Sequence, residues 1–400
     1  MDYMLDEERS LYRRSVREFL EKELEPHSEK IDREGRIPRE VIKKLGEYGL
    51  LGITISEEYG GAGVDYLTAA LVSEEVGRAD ISLATSVYYL LQASWGKILE
   101  KFGGEELKEE FLPKLVKGEL FIGIASTEPH GGSDVANVKT KVVFSKDSFR
   151  VVGEKVFISG VREAMELGGG FITIMKHDPE KGHKGLTAAI TTLDREGVET
   201  GLIENMGRSG ISTGYIRYND VEYPIHYLLG KPGDGFYIAM EGFNLARPMV
   251  AAACIGAAGK ALEIGIRFLK DRVVFGRPLA KFEALQFEAV EDYVKLEMAR
   301  ELVYKAAWIL DEHYRKGRFS VGEVNKYVAA AKWVAAETAF RIFTHVMMWH
   351  GALGYSRELP LERGLRGVMS YLVGAEGTIN VMKLIIGREL FGREFMPTKT

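Results

Sequence analysis

The spacing of apolar residues switches twice along this chain of 400 residues, and the two switches constrain its fold more than any single motif. Up to about residue 120 the pattern is helical. Between Leu5 and Glu25, the apolar Leu11, Val16, Phe19 and Leu20 recur among charges at roughly helical steps. Pro38 sits where a first-turn proline belongs, and Gly49 where a left-handed cap would end that helix. Leu67–Val76 and Leu83–Phe102 continue the pattern, the second stopping at Gly103-Gly104. From Phe121 to about Tyr227 short β-rich runs take over: Lys141–Phe144, Phe149–Val152, Val156–Ser159, Phe171–Met175, Leu186–Thr192 and Tyr215–Tyr218. Lys146-Asp147 and Gly153-Glu154 read as the turns between antiparallel strands, and a small β-barrel or sandwich is expected. After Pro232-Gly233-Asp234-Gly235 the helical spacing returns over Phe236–Val274, Leu285–Tyr314 and Val324–His350. Ser320 and Glu323 form a capping box before the last of these, and Met369–Phe391 reads as one more helical region, entered from the Glu376 loop. The expectation is a mainly α chain with a central β domain, divided as residues 1–120, 121–232 and 233–400.

Composition removes several function classes. A net charge of −5 and a pI near 6.0 lack the basic stripe that nucleic-acid binding needs. The apolar stretch Met249–Ala258 is too short to cross a bilayer, so no membrane role is expected. Cys254 is the one cysteine, which leaves no intrachain disulfide and no cysteine metal cluster. The eight histidines show no metal-ligand spacing, so His130 and His350 are read as structural and no metal is expected. An acidic start, Met1-Asp2-Tyr3-Met4-Leu5-Asp6-Glu7, shows no signal peptide, and the chain reads as cytoplasmic. Glutamine occurs only at Gln92 and Gln286 while Glu and Lys are plentiful, the bias of thermophile proteins. Helices this long leave apolar area that an oligomer would cover.

Two short segments carry the chemistry. Thr127-Glu128-Pro129-His130-Gly131-Gly132-Ser133-Asp134 follows the apolar run Leu120–Ala125 and combines glycines, hydroxyls and a proline turn. Missing Cβ atoms let backbone N–H groups approach a planar or phosphorylated ligand closely. About 240 residues later, Ala375-Glu376-Gly377-Thr378 sets one carboxylate beside a glycine and a hydroxyl in apolar surroundings.

The first segment resembles the TEPxxGSD flavin loop of the acyl-CoA dehydrogenases, and the second resembles the loop bearing that family's catalytic glutamate. Asn205-Met206-Gly207, Ala246-Arg247-Pro248, Arg272-Val273-Val274-Phe275-Gly276 and Trp349-His350-Gly351-Ala352-Leu353-Gly354-Tyr355 fall between them in the family's order. Ile37-Pro38-Arg39-Glu40 through Glu57-Glu58-Tyr59-Gly60-Gly61 resembles its N-terminal helix and glycine turn. The resemblance covers nearly the whole chain. It implies a three-domain α–β–α architecture, FAD as cofactor, an acyl-CoA substrate, an electron-transfer flavoprotein as partner, and a homotetramer.

The implied reaction removes a proton from the α-carbon and a hydride from the β-carbon of an acyl thioester. A weakly acidic α-proton needs a carboxylate in a dry site, and Glu376 fits that need. The developing enolate needs donors, which in the family are the glutamate's own N–H and a ribityl hydroxyl; Gly377 permits that approach. A hydride acceptor must be a cofactor, and Gly60-Gly61-Ala62-Gly63 lacks a dinucleotide-fingerprint context. By resemblance Thr127 and Ser133 bond the flavin, Ser159 stands near its reactive nitrogen, and Arg272, Phe275 and Gln286 reach the FAD of a neighbouring subunit. Gly351, Gly354, Thr378 and Asn380 complete its adenosine side. Arg247 lies near the glutamate loop and substrate, Phe243 and Asn244 beside the pantetheine, and Ala375 and Gly377 beside the acyl group.

Three departures from the family pattern bear on function. Phe157 stands where the family usually has tryptophan, which concerns the electron acceptor. Ala375 replaces a large aromatic, usually tyrosine, and predicts a branched, cyclic or bulky acyl group. Ala352 replaces the second glycine of a Gly-Gly pair. Branches that carry their base just before the arginine of the long helix would need it at Ala246, which leaves Glu376. Competing readings are a same-fold flavin oxidase or monooxygenase, an enoyl-CoA reductase, and a binding protein akin to the family's DNA-associated members.

Overall fold

The computed structural model describes residues 6–396; Leu5, the expected start of the first helix, lies outside them. The N-terminal part is helical: α1 (Glu7–Glu23), α2 (Ser28–Glu34), α3 (Arg39–Glu47), α4 (Tyr66–Ala79), α5 (Ala84–Phe102) and α6 (Glu105–Val116). Helix starts follow local chemistry. Asp6 caps α1 by accepting from the Arg9 N–H at 2.8 Å, and Asp65 caps α4 through the Thr68 N–H at 2.9 Å. Pro38 precedes α3, and Gly49 beyond its end takes φ of 80°.

The middle part contains β1 (Phe121–Ala125), β2 (Lys141–Phe144), β3 (Ser148–Ser159), α7 (Val161–Leu167), β4 (Gly169–Lys176), β5 (Leu186–Thr192), β6 (Val198–Leu202), β7 (Thr213–Pro224) and β8 (Leu228–Leu229). These form one eight-stranded mixed sheet in the order β6-β7-β3-β2-β4-β5-β8, with β1 branching off parallel to β4. The expected pair of strands either side of Gly153-Glu154 is a single strand, so those residues are not a turn. Gly153 instead marks a register shift against β7, and a Cβ there would lie 2.6 Å from the Thr140 backbone. The glycine is needed for close approach inside a bulged strand.

The C-terminal part is α8 (Gly235–Asp271), the two-residue strands β9 (Val273–Val274) and β10 (Arg277–Pro278), α9 (Glu283–Lys316), α10 (Val321–His350), α11 (Ala352–Tyr355), α12 (Leu361–Val373) and α13 (Ile379–Phe391). By length and composition α8 could cross a membrane, yet most of its apolar span is buried among α4, α5, α9 and α10. The Ser320–Glu323 capping box is present in both directions at the start of α10. Met369–Phe391 is not one continuous helical region. Gly374 ends α12, Glu376 and Gly377 take left-handed φ of 60° and 101°, and Thr378 caps α13 by accepting from the Val381 N–H at 3.2 Å. An L-residue chain cannot stay helical through those angles, and the break carries the glutamate into the space beside α8 and α10.

Candidate active site

Glu376 sits on the five-residue connection between α12 and α13. Its left-handed backbone is unusual for a residue with a Cβ and costs of order 1–3 kcal/mol, so surrounding contacts must hold it. Two buried cations do so on consecutive peptides. Arg247 of α8, 4 % exposed, donates Nε to the Glu376 carbonyl at 3.2 Å. Lys332 of α10, wholly buried, donates Nζ to the Gly377 carbonyl at 2.5 Å and also to the Tyr371 carbonyl in the last turn of α12. The Arg247 Nη1 donates to Asn244 Oδ1 at 2.8 Å, and Asn244 Nδ2 donates to Asn325 Oδ1 at 2.7 Å. The proline after Arg247 leaves the helix unbroken, and it cannot donate to the Asn244 carbonyl one turn earlier.

The electrostatics suit a base. Burial raises the Glu376 carboxyl to about 7, against the opposing pull of Arg247, Lys332 and Arg208. Its Oε2 is buried without a hydrogen-bond partner, and its amide N–H meets no acceptor among the described residues. Burial lowers Arg247 to about 10 and Lys332 to about 8, while Glu376 pulls both back up. Arg208, on the loop between β6 and β7, lies over the Tyr371 ring at 5.8 Å, and its Nε is buried without a partner. A carboxylate in this setting is ionised near neutrality, has a free lone pair, and faces positive charge that would stabilise an enolate.

The glycine-rich loop leaves the end of β1 and folds back on itself through paired N–H···O bonds between Glu128 and Gly131. A Cβ on Gly132 would press the Thr127 hydroxyl at 3.0 Å. Beneath the loop, Lys155 of β3 is completely buried and donates Nζ to Glu128 Oε1 at 2.8 Å, to Ile174 O at 2.7 Å and to Ser126 O at 3.2 Å. Glu128 also accepts from the Lys139 and Thr140 N–H groups. Two residues beyond Val156, whose N–H donates to the Thr127 carbonyl, Ile158 pairs with Gly214; Ser159 then pairs with Thr213. Phe157 between them stands out at φ of 57°, 63 % exposed, on the second bulge of β3.

The structure thus sets Thr127 against β3, the strand that ends at Ser159, and groups the Ala375–Glu376–Gly377 loop with Arg247, Asn244 and Phe243 of α8. Ser133 is exposed on the same glycine loop. Arg272, Phe275 and Gln286 lie apart, around the β9–β10 hairpin; Phe275 is 91 % exposed at φ of 52°, and Gln286 donates to the Ala280 carbonyl. Gly351 and Gly354 bracket the junction of α10 and α11, while Thr378 and Asn380 begin α13. His350 stacks on Phe268 with ring centres 4.0 Å apart and bonds the Val346 carbonyl, a packing role.

Four residues escaped sequence reasoning: Lys155, Glu128 as its partner, Arg208 and Lys332. Lys332 had a visible signal, as the one charged residue between Tyr327 and Ala336 on a helix rich in alanine. Lys155 left a fainter trace, a charge on the inward side of a strand. Arg208 left none, because only the fold brings its loop to Tyr371.

Comparison with known proteins gives a consistent picture. Family profiles match three stretches: acyl-CoA dehydrogenase, N-terminal domain over residues 6–119, middle domain over 123–221, and C-terminal domain over 233–391. A probable acyl-CoA dehydrogenase of Bacillus subtilis (strain 168), YngJ, is 35 % identical over 392 residues, covering 98 % of this chain and 100 % of that protein. The acryloyl-CoA reductase (NADH) of Anaerotignum propionicum is also 35 % identical, over 396 residues, covering 98 % and 97 %. A solved glutaryl-coenzyme A dehydrogenase in complex with glutaryl-CoA superimposes with a TM-score of 0.90 at 31 % identity, covering 100 % of this chain and 99 % of that one.

Proposed function

The chain belongs to the acyl-CoA dehydrogenase family, and on that premise we propose that it desaturates an acyl-CoA at the α,β position, with Glu376 as the base and FAD as cofactor. The observation carrying this reading is the Glu376 carboxyl: on a half-buried residue, raised to about 7, with Oε2 shielded from solvent and unpartnered, on a strained loop. Glu376 takes the α-proton. Its own N–H, free of any described acceptor, meets the thioester oxygen as charge develops there, and Arg247 holds the carbonyl of the same residue, on the peptide that follows. Bound FAD supplies the acceptor for the β-hydride.

The residues present suit that cofactor. Ser126 Oγ is buried without a partner at the end of β1, Gly131 has open space at its Cβ position, and the Thr127 carbonyl accepts from Val156 of β3, the strand that ends at Ser159. Thr127, Ser133 and Ser159 would hold the flavin; Gly351, Gly354, Thr378 and Asn380 its adenosine side. Arg272, Phe275 and Gln286 would serve a neighbour's cofactor, as their exposure away from Glu376 supports. A matching apolar stripe on α9, exposed at Phe287, Val290, Val294 and Met298, supports a homotetramer. Light scattering of the purified protein should give four chains per particle.

Ala375 in place of an aromatic supports a branched, cyclic or bulky acyl group. An electron-transfer flavoprotein is the proposed acceptor, meeting the flavin near Phe157, in a cytoplasmic and heat-adapted enzyme. Anaerobic titration with butyryl-CoA, isovaleryl-CoA and cyclohexanecarbonyl-CoA tests the reading: the flavin band should bleach, more strongly with the bulkier two than with butyryl-CoA. A yellow protein that none of them bleaches, yet whose dithionite-reduced form is reoxidised by an enoyl-CoA, would replace it with the reductase direction. The similarity to an acryloyl-CoA reductase favours that second reading.

A further inference from the structure

The geometry points to Lys332 as a positioning residue for the proposed reaction: its ammonium clamps both ends of the loop that carries Glu376 and supplies a positive charge that weakens this base's hold on a proton. The inference rests on Glu376 being the base. Its support is the arrangement around one nitrogen. Nζ of Lys332 reaches the Tyr371 carbonyl before the loop and the Gly377 carbonyl after it. Tyr371 lies in the final turn of α12, where a carbonyl has no intrahelical donor, so the lysine fills a vacancy that every helix end presents. Gly377 follows the left-handed Glu376, so fixing its carbonyl fixes the peptide on the far side of Gly377, just beyond the one that Arg247 holds. Together with Arg247 on the Glu376 carbonyl, two cations from two helices grip consecutive peptides of the loop.

The charge has no carboxylate of its own. Among the described residues the partners of Nζ are neutral carbonyls. The groups facing the site are Arg247 and Cys254 from α8, Lys332 from α10, Arg208 from the β6–β7 loop and Tyr371 from α12; Asp80, ahead of α5, acts on Tyr371 and is held by Ser28, Ser82 and Thr85. Burial pushes the Cys254 thiol up to about 12, so it stays protonated and neutral, as does Tyr371. The negative group left for Lys332 to act on is therefore Glu376. A clamp meant only for the backbone needs a donor and no net charge, and a buried neutral donor would cost less desolvation.

Lys332→Met and Lys332→Gln, purified as holoenzymes, separate these roles. The probe is whichever of butyryl-CoA, isovaleryl-CoA and cyclohexanecarbonyl-CoA bleaches the wild type fastest, followed by anaerobic stopped-flow across pH. Lys332→Met should slow the limiting reduction roughly 10- to 100-fold with acyl-CoA affinity within about 3-fold, and move the acidic limb up by about one pH unit. Lys332→Gln keeps a donor without charge: it should regain part of the rate while its limb stays displaced. Flavin content per chain should match the wild type in both. An unmoved limb in both variants overturns the inference, as does a loss of affinity equal to the loss of rate. Should Lys332→Met fail to fold, the limb of Lys332→Gln decides alone. Full activity in Glu376→Gln would instead remove the base assignment itself, a distinct outcome.

Discussion

Two buried lysines hold the two loops of this site, and they do so under opposite charge balance. Lys155 lies under the glycine loop with a carboxylate, Glu128, at 2.8 Å; Lys332 lies under the Glu376 loop with carbonyls alone. Burial lowers both to about 8. In the first case the ion pair closes on itself: Lys155 and the flanking N–H groups hold Glu128 below the ordinary carboxylate range despite its burial. That loop is fixed and electrically quiet, which suits a surface that receives a cofactor. In the second case the charge is left to act on the carboxyl of Glu376, the proposed base. The difference teaches that the same residue type can serve as a structural pin or as a tuning charge, depending on whether a partner neutralises it.

The largest effect should come from Glu376→Gln, which keeps shape and burial while removing the base. The limiting rate of flavin reduction should fall on the order of 1,000-fold or more with the yellow colour retained; turnover within a few-fold of wild type would sink the assignment. Next, the lysines should differ in stability. Lys155→Met strands the Glu128 carboxylate and should cost about 3–5 kcal/mol in denaturant melts, with loss of bound flavin. Adding Glu128→Gln should recover part of that loss. Lys332→Met strands only carbonyls and should cost about 1–3 kcal/mol; equal losses at the two sites would break the comparison.

The pH dependence sharpens it further. Glu376 must be ionised to accept a proton and its carboxyl is held at about 7, so kcat/KM should rise with pH through about 7 and level off above. A limb near the ordinary carboxylate value would mean that burial does not raise this group in solution. A smaller change is expected from Ala375→Tyr, which should cut the preference for cyclohexanecarbonyl-CoA over butyryl-CoA by roughly 10-fold. An unchanged ratio in competition assays would show the space to be filled some other way. The smallest effect, about 1 kcal/mol in thermal or denaturant unfolding, should follow Ser320→Ala, which removes one arm of the α10 cap. That variant is a control: it should leave the acidic limb where it was.

What the sequence determined by itself was whatever depends on neighbours in the chain. Hydrophobic period located the long helices, such as α5, α8, α9 and α10, and strands such as β2, β4 and β5, because burying one face imposes the period directly; short elements such as α2, α7 and β6 gave too few residues to show it. Cap residues such as Ser320 were legible for the same reason, since the bond spans three residues. Glu376 and Thr127 were legible as short motifs whose resemblance to a family supplied their roles. Only the tertiary structure decided the rest. Gly153 looked like a turn because glycine punctuates turns, but Thr140 packed against it makes it part of a bulged strand. The helical reading of Met369–Phe391 overlooked the left-handed Glu376, whose angles are maintained by Arg247 and Lys332, 129 and 45 residues away from the carbonyls they bond. Lys155 and Lys332 show in the sequence only as charges at inward positions, and Arg208 not at all; none of the three reveals its partners locally. A buried charge takes its meaning from what the fold places within a few ångströms of it, and that distance is not written along the chain.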